Sequence, residues 1–146
     1  MKGFYKTVTF LFLFSLILTR ASFGQIYGQI FTNSEANQKF GAVTSSITIT
    51  SVQMQDFLNK TNKVLMFKVK DGNLIVLGNG RSPIYPSSIA ASATDVFKVY
   101  SKSVISELLI KGGQENINIE MRSNLLTITD GGFTLEMGLD CPPICP

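Results

Sequence analysis

Apolar and polar residues alternate most clearly in KVLMFKVKDGNLIVLG, residues 63–78. Asp71-Gly72 is a dipeptide that accepts the two positive φ angles of a type I′ turn, so this stretch predicts a β-hairpin. Folding at the turn pairs Val69 with Leu74 and collects the larger apolar residues on one face. The opposite face carries lysines as well as apolar residues, and we expect it to be half covered.

A second alternating stretch, residues 116–138, predicts a three-stranded antiparallel meander. Its turns are expected at Ser123-Asn124 and at Asp130-Gly131, and the second turn would pair Ile128 with Phe133. One face of this meander is wholly apolar. The other carries Asn, Glu, Arg and Thr and is expected to face solvent.

Helical signals occur in three segments. Thr32 with Glu35, and Thr50 with Gln53, have the spacing of a capping box. They predict a short helix that ends after Phe40 and a second helix in SVQMQDFLNK. A third helix is predicted in SKSVISELLIKGG, and strands are predicted in SSITIT and DVFKVY, ahead of the two longer helices. The predicted apolar face of the second helix consists of Val52, Met54, Phe57 and Leu58.

A shift of 52 residues brings the two halves of the chain into step, with Ser51 on Ser103 and Leu65 on Ile117. A tandem β-α-β-β duplication explains this match. The alternative is that any two helix-plus-hairpin units of similar length align equally well. Either way the pattern predicts an α+β fold, with an antiparallel sheet and two helices packed on one face, because each unit must bury one sheet face and one helix stripe.

The first 24 residues have the order of a secretory signal: lysines, an apolar run and small residues before a cleavage site after Gly24. The apolar run is shorter than the roughly 20 residues that a membrane-spanning helix needs. An uncleaved anchor is the alternative, and no transmembrane segment is expected after the signal is removed. We therefore expect a secreted or periplasmic protein with one domain, 25–146, which includes a Cys/Pro tail at 139–146.

Charge argues against nucleic acid as a partner. The chain has 13 Lys+Arg and 10 Asp+Glu, but three of the basic residues lie in the signal, which leaves ten against ten. Phosphate-backbone binding depends on clustered basic residues. The unknown partner is therefore expected to be a protein or a small molecule.

The composition offers little catalytic chemistry. The chain contains no histidine, which removes the commonest general base and the usual zinc ligand. Glu120 and Glu136, beside Arg122, are the carboxylates that a hydrolase could use, although a solvated sheet face explains them as well. Residues 78–81, GNGR, lack the spacing of a phosphate-binding loop. No cofactor and no metal site is predicted.

Cys141 and Cys145 are the only cysteines. Export would favour a disulfide between them. An extended path through the prolines would hold their Cα atoms about 12 Å apart, whereas a bridge needs less than about 7 Å. An internal disulfide therefore requires a cis proline or a tight turn. Pairing with another chain, free thiols and metal binding are the alternatives.

These features favour a small exported binding module that is not an enzyme. Its contact surface is predicted in the long connection Gly78–Thr94, at Arg81 and Tyr85, or in the aromatic N-terminal segment, at Tyr27 and Phe31; these aromatic residues could instead only cap the core. The alternatives are a carboxylate-based hydrolase and an envelope component that pairs through a free sheet edge. An exposed edge strand without charges would point to the last of these.

Overall fold

The computed structural model describes residues 25–142 and Cys145, and the predicted signal lies outside this part of the chain. Within it the fold has ten strands, three α-helices and one turn of 3-10 helix at Asn79–Arg81. The helices are α1 (Asn33–Phe40), α2 (Ser51–Asn59) and α3 (Lys102–Gly112). The strands are β1 (Gln29–Thr32), β2 (Ser45–Thr50), β3 (Val64–Lys70), β4 (Asn73–Leu77), β5 (Pro83–Tyr85), β6 (Phe97–Ser101), β7 (Asn116–Arg122), β8 (Leu125–Asp130), β9 (Phe133–Glu136) and β10 (Leu139–Cys141).

Both predicted capping boxes are present and explain where α1 and α2 begin. The Thr32 hydroxyl accepts from the Glu35 N–H while the Glu35 carboxylate accepts from the Thr32 N–H, and Thr50 and Gln53 do the same for α2. These pairs satisfy backbone donors that the first helical turn leaves free. Helix α3 ends at Gly113, which adopts the left-handed conformation that glycine favours.

The strands form two antiparallel sheets, which confirms the α+β class. Sheet A has the order β1-β9-β8-β7-β2, and sheet B has the order β10-β6-β3-β4-β5. The expectation of a single antiparallel sheet is wrong, because the strands divide into two sheets. Strand β2 pairs with β7 and strand β6 pairs with β3, so the strand before each longer helix joins the hairpin of the other half.

Two of the three predicted hairpin registers are confirmed. Val69 pairs with Leu74, and Ile119 pairs with Ile128. The β8–β9 register is wrong by two residues, because the turn lies at Gly131-Gly132 and Ile128 faces Leu135. A shift of two residues leaves every side chain on the same face of the sheet, so the predicted apolar face is still correct.

One hydrophobic core joins the two sheets and the two longer helices. It includes Leu65 and Phe67 of β3, Ile117 and Ile119 of β7, Met54, Phe57 and Leu58 of α2, and Val104, Ile105 and Leu108 of α3. The Tyr100 hydroxyl crosses this core and donates to the Leu126 carbonyl at 2.5 Å, which ties sheet B to sheet A. Val52, predicted to be buried, is 76% exposed because the buried stripe of α2 begins at Met54.

The second face of sheet B is also covered, as expected. Met66, Ile75 and Leu77 form a smaller cluster with Phe97, Val99 and Cys141. The long connection lies over this cluster through Ile89 and Ala91. The connection is fastened at its end, where Asp95 accepts from Lys68 at 2.5 Å and from the Ser92 N–H at 3.0 Å.

The outer face of sheet A differs from the prediction, since it is not open to solvent. Helix α1 contacts it, and six polar residues of β7, β8 and β9 on this face are buried: Glu120, Arg122, Thr127, Thr129, Thr134 and Glu136. The Arg122 guanidinium donates to the Asn37 side chain at 2.5 Å and to the Gly41 carbonyl at 2.9 Å. Polar partners on α1 therefore take the place of water.

Candidate binding cleft

A cleft of about 640 Å³ lies where the N-terminal segment crosses the start of α3. We call it the Tyr27 cleft. Its walls are Gln25, Ile26 and Tyr27 on one side, Asn62, Lys63 and Val64 on another, and Ser101, Lys102, Ser103 and Ser106 on the third.

The N-terminal segment is held against the end of β6 by two hydrogen bonds. The Tyr27 N–H donates to the Ser101 hydroxyl at 2.7 Å, and the Ser101 N–H donates to the Tyr27 carbonyl at 2.9 Å. Ser101 is also the N-cap residue of α3, but its side chain makes no capping bond to the helix. The hydroxyl that would cap α3 is used instead to position Tyr27.

A network below the cleft orders the chain between α2 and β3. The Asn79 side-chain oxygen accepts from the Thr61 hydroxyl at 2.6 Å and from the Lys63 N–H at 2.9 Å. The Lys102 ammonium donates to the Leu58 carbonyl at 2.6 Å and the Thr61 carbonyl at 2.9 Å, at the end of α2. Lys102 therefore holds α2 next to α3, and it cannot be removed without loosening both.

The cleft has a positive electrostatic bias. Two of its lining residues are lysines and none is acidic. Among the described residues neither Lys63 nor Lys102 forms an ion pair with a carboxylate, although several other lysines do. Three serines and the amide side chains of Gln25 and Asn62 add hydrogen-bonding groups. The arrangement suits a ligand that combines an acidic group with an apolar part, which Ile26, Tyr27 and Val64 could contact.

Tyr85 lies at a second, smaller cleft of about 350 Å³. The cleft is formed by the β3–β4 turn, with Lys70 and Asp71, and by the connection, with Pro86 and Ile89. Tyr85 is 42% exposed, and its ring packs on Phe57 with 5.6 Å between ring centroids. Tyr85 is therefore accessible, but its cleft is smaller and lined by charges of both signs.

Arg81 and Phe31 line neither of these clefts. Arg81 donates to the carbonyls of Ser92 and Asp95 at 2.7 and 3.1 Å, and its guanidinium lies 5.0 Å from the Phe97 ring centroid. Phe31 is buried and packs edge-on against Phe40 at 5.3 Å. The described contacts of both residues hold the fold together.

The predicted carboxylates do not converge in a cleft. Glu120 accepts from Arg122 at 2.8 Å and from Thr129 at 2.8 Å, deep between sheet A and α1. Glu136 lies at the end of β9, accepts from the Met137 N–H and has Lys98 3.9 Å away. Neither lines any of the three clefts found in the described residues.

Cys141 and Cys145 form a disulfide, with 5.0 Å between their Cα atoms. The Cys141-Pro142 peptide bond is cis, which is one of the two alternatives that the sequence analysis gave for an internal disulfide. Arg81 donates to the Cys141 sulfur at 3.4 Å, so the bridged tail packs beside the long connection.

Lys63, Lys102 and the cleft serines were not predicted as site residues. A serine near the start of α3 was visible in the sequence, but only as a helix signal. The cleft joins residues 25–27, 62–64 and 101–106, and no local pattern relates these three segments.

Within the described residues, no helix is long and apolar enough to cross a membrane, and no group of three or more potential metal ligands occurs. Comparisons with protein-family models, curated proteins and solved structures find no match to this chain.

Proposed function

We propose that the chain is a small exported binding module without catalytic activity and that its ligand occupies the Tyr27 cleft. The observation that carries this proposal is a cleft of about 640 Å³ whose walls include two lysines and no acid. Its volume falls in the range of about 300–1,000 Å³ that is typical of ligand pockets. The ligand class is an organic anion with an apolar part.

The geometry does not favour the alternative of a carboxylate-based hydrolase. Glycoside hydrolysis by paired carboxylates needs two carboxyl groups that face one substrate. Glu120 is paired with a buried arginine and lies away from every cleft described above.

The cleft is tested by NMR titration of the labelled protein with aromatic and aliphatic carboxylates and phosphates, and with their uncharged analogues. We expect the anions to shift the amide signals of Tyr27, Ser103 and Ser106, because these residues line the cleft. Lys63→Gln should weaken binding roughly fivefold, since an exposed charge contributes about 1 kcal/mol.

Lys60→Gln is the matched control, because Lys60 is paired with Asp56 and does not line the cleft. Equal losses in the two variants would mean that only net charge matters. Shifts confined to Tyr85 and its neighbours would move the proposed site to the smaller cleft.

We also propose that residues 1–24 direct export and are removed after Gly24, which places the domain in an oxidising compartment. The Cys141–Cys145 disulfide supports this proposal, since such bonds persist mainly outside the cytosol. The exported product should begin at Gln25 and weigh two hydrogens less before reduction than after it. A retained leader or free thiols in the intact mass would contradict the proposal.

The matching order of four strands in each sheet supports the proposal that the domain arose by tandem duplication. Strands β2, β3, β4 and β5 correspond to β6, β7, β8 and β9, and the orders β2-β7-β8-β9 and β6-β3-β4-β5 then match. The correspondence requires one gap. The N-caps Thr50 and Ser101 are 51 residues apart, whereas the starts of β3 and β7, Val64 and Asn116, are 52 apart.

A further inference from the structure

We propose that β2 is an interaction edge at which the chain pairs with a second copy of itself. The two β2 strands would run antiparallel about a two-fold axis at Ile47, which would join two five-stranded A sheets into one sheet of ten strands. The proposal does not involve the Tyr27 cleft, whose lining residues lie elsewhere.

Strand β2 has a free edge. Among residues 25–142 it stands at the end of sheet A and pairs only with β7. The Ser51 N–H donates to the Glu115 carbonyl at 2.7 Å, so the alternation of an antiparallel ladder directs the backbone groups of Ile49 and Ile47 toward β7. Those of Ser46 and Thr48 then point away from the sheet. The Thr50 N–H also points away from β7, because it donates to the Gln53 side-chain oxygen at 3.0 Å.

The other sheet edges are short or protected. Strand β5 has three residues and begins with Pro83, β10 has three residues with Asp140 at its centre, and β1 has four residues. Strand β2 has six residues, SSITIT, without a charge, a proline or a glycine. Folded proteins usually protect an edge of this kind with charges, prolines or a covering element.

The other half of the molecule shows how a strand fits at this position. There β6 corresponds to β2, and its outer edge is occupied by β10, which pairs antiparallel with Phe97–Val99. The 51-residue spacing of the N-caps relates Phe97–Val99 to 46–48. A helix follows β6 as it follows β2, and β10 still has room beside it. The equivalent space next to β2 is therefore the place for an added strand.

A second copy is the occupant that the edge fits best. Antiparallel pairing about Ile47 places Ser46 opposite Thr48 of the second copy, and Ile47 opposite its own counterpart. No charged residues oppose one another, hydroxyl and isoleucine pairs stabilise the contact, and the surface is self-complementary, as a two-fold interface requires. Only four backbone hydrogen bonds form, so we expect a weak, reversible dimer.

The experiment measures the mass of the protein in solution. The full-length chain is expressed in an exporting host, purified, and examined by sedimentation velocity from about 1 µM to about 1 mM, the range in which weak complexes dissociate. The weight-average mass should double across this range. Ser46→Lys should remain monomeric, because it places two like charges at the paired edges.

Ser87→Lys is the matched control, since Ser87 is also an exposed serine but lies outside both sheets. It should dimerise like the unchanged chain, and circular dichroism establishes that both variants are folded. An unchanged chain that stays monomeric overturns the proposal, and so does a Ser46→Lys variant that still dimerises. Binding of an added SSITIT peptide to a monomeric chain would also overturn it, in favour of a foreign strand at this edge.

Cross-linking tests the register. In the proposed dimer the two Ile47 residues form a non-hydrogen-bonded pair with Cα atoms about 4.5 Å apart, close enough for a disulfide. Ile47→Cys should form a covalent dimer under mild oxidation. Ser45→Cys should not, because Ser45 would face Ile49 of the second copy. Cross-linking of both variants, or of Ser45→Cys alone, would refute pairing about Ile47.

Discussion

Asp130 shows how a single buried carboxylate is held at the end of β8. One of its oxygens accepts from the Gln114 N–H at 3.0 Å, while the other has no hydrogen-bond partner among the described residues. Burial raises the pKa of this carboxyl, although the N–H groups of Gln114 and Gly113 act in the opposite direction. The ionised form therefore lowers the stability of the folded chain.

The stability of the protein should depend on the charge of Asp130. Because the pKa is raised on folding, the folded chain holds more protons, and its stability falls as pH rises from the ordinary value of 3.8 through the raised value. Asp130→Asn keeps the acceptor for Gln114 and removes the charge. We expect it to raise the free energy of unfolding in urea at pH 7 by about 1 kcal/mol, as for relief of a buried unsatisfied group.

The gain from Asp130→Asn should shrink as pH falls below the ordinary value, where the wild-type carboxyl is protonated in both states. Asp71→Asn is the control, because Asp71 is exposed in the hairpin turn at φ 51°, a conformation that asparagine also tolerates. If the difference between Asp130→Asn and the wild type is the same at pH 3 and pH 7, ionisation of Asp130 is not its cause.

Gly112 allows α3 to end against the Asp130 backbone. A Cβ atom at this position would lie 2.3 Å from the Asp130 Cγ and 2.5 Å from its carbonyl oxygen. Gly112→Ala should therefore lower the free energy of unfolding by about 1–3 kcal/mol, as overpacking does. Gly132→Ala is the matched control, since its Cβ would meet nothing within 4 Å. Equal urea midpoints for the two variants would contradict this account.

At the scale of elements, α1 depends on Arg122 for its position on sheet A. The guanidinium joins Asn37 and Gly41 at α1 to Glu120 on the strand, and its Nε donates to the Thr127 hydroxyl at 3.3 Å. Arg122 is only 2% exposed. Removing it would leave the Glu120 carboxylate buried without its cation.

We expect Arg122→Met to lower the free energy of unfolding by about 3–5 kcal/mol, the usual cost of a buried charge that has lost its partner. Adding Glu120→Gln should recover part of this loss, because the uncharged amide needs no cation. Urea unfolding of the two single variants and the double variant measures the coupling between the residues. Additive losses would show that Arg122 acts through α1 alone.

At the scale of the whole molecule, the exchanged strands make the two halves depend on each other. Strand β2 completes the sheet of the second half, and β6 completes that of the first. Neither half contains all the strands of its own sheet, and the core has side chains from both. The described part of the chain should therefore unfold in one step.

Chains cut between residues 94 and 95 test this dependence. Fragments 25–94 and 95–146 should each lack stable structure, and mixing them should restore the circular dichroism spectrum of the uncut chain. In the uncut chain, unfolding followed in the far and near ultraviolet should give coincident curves. A fragment that folds alone, or two separated transitions, would refute the dependence.

Much of the local structure was predictable because its causes are local. The Asp71-Gly72 turn specified the β3–β4 register, and the two capping boxes specified where α1 and α2 begin. The β8–β9 register was missed because Asp130-Gly131 and Gly131-Gly132 are both acceptable turns, and the side-chain pattern is the same for either. The disulfide was predicted only as one of several alternatives, because the sequence does not specify the chain bend that brings Cys141 and Cys145 together.

By itself the sequence determined the helices, the strands β2, β3, β4, β6, β7, β8 and β9, and the α+β class, whereas β1 and β10 were not predicted. Only the tertiary structure decided that there are two sheets, that β2 and β6 exchange halves, that α1 buries Glu120 and Arg122, and that three distant segments form the Tyr27 cleft. The reason is that side-chain alternation records which face of a strand is buried. The backbone N–H and C=O groups that join neighbouring strands are the same in every residue except proline, so the side-chain pattern does not specify which strands become neighbours.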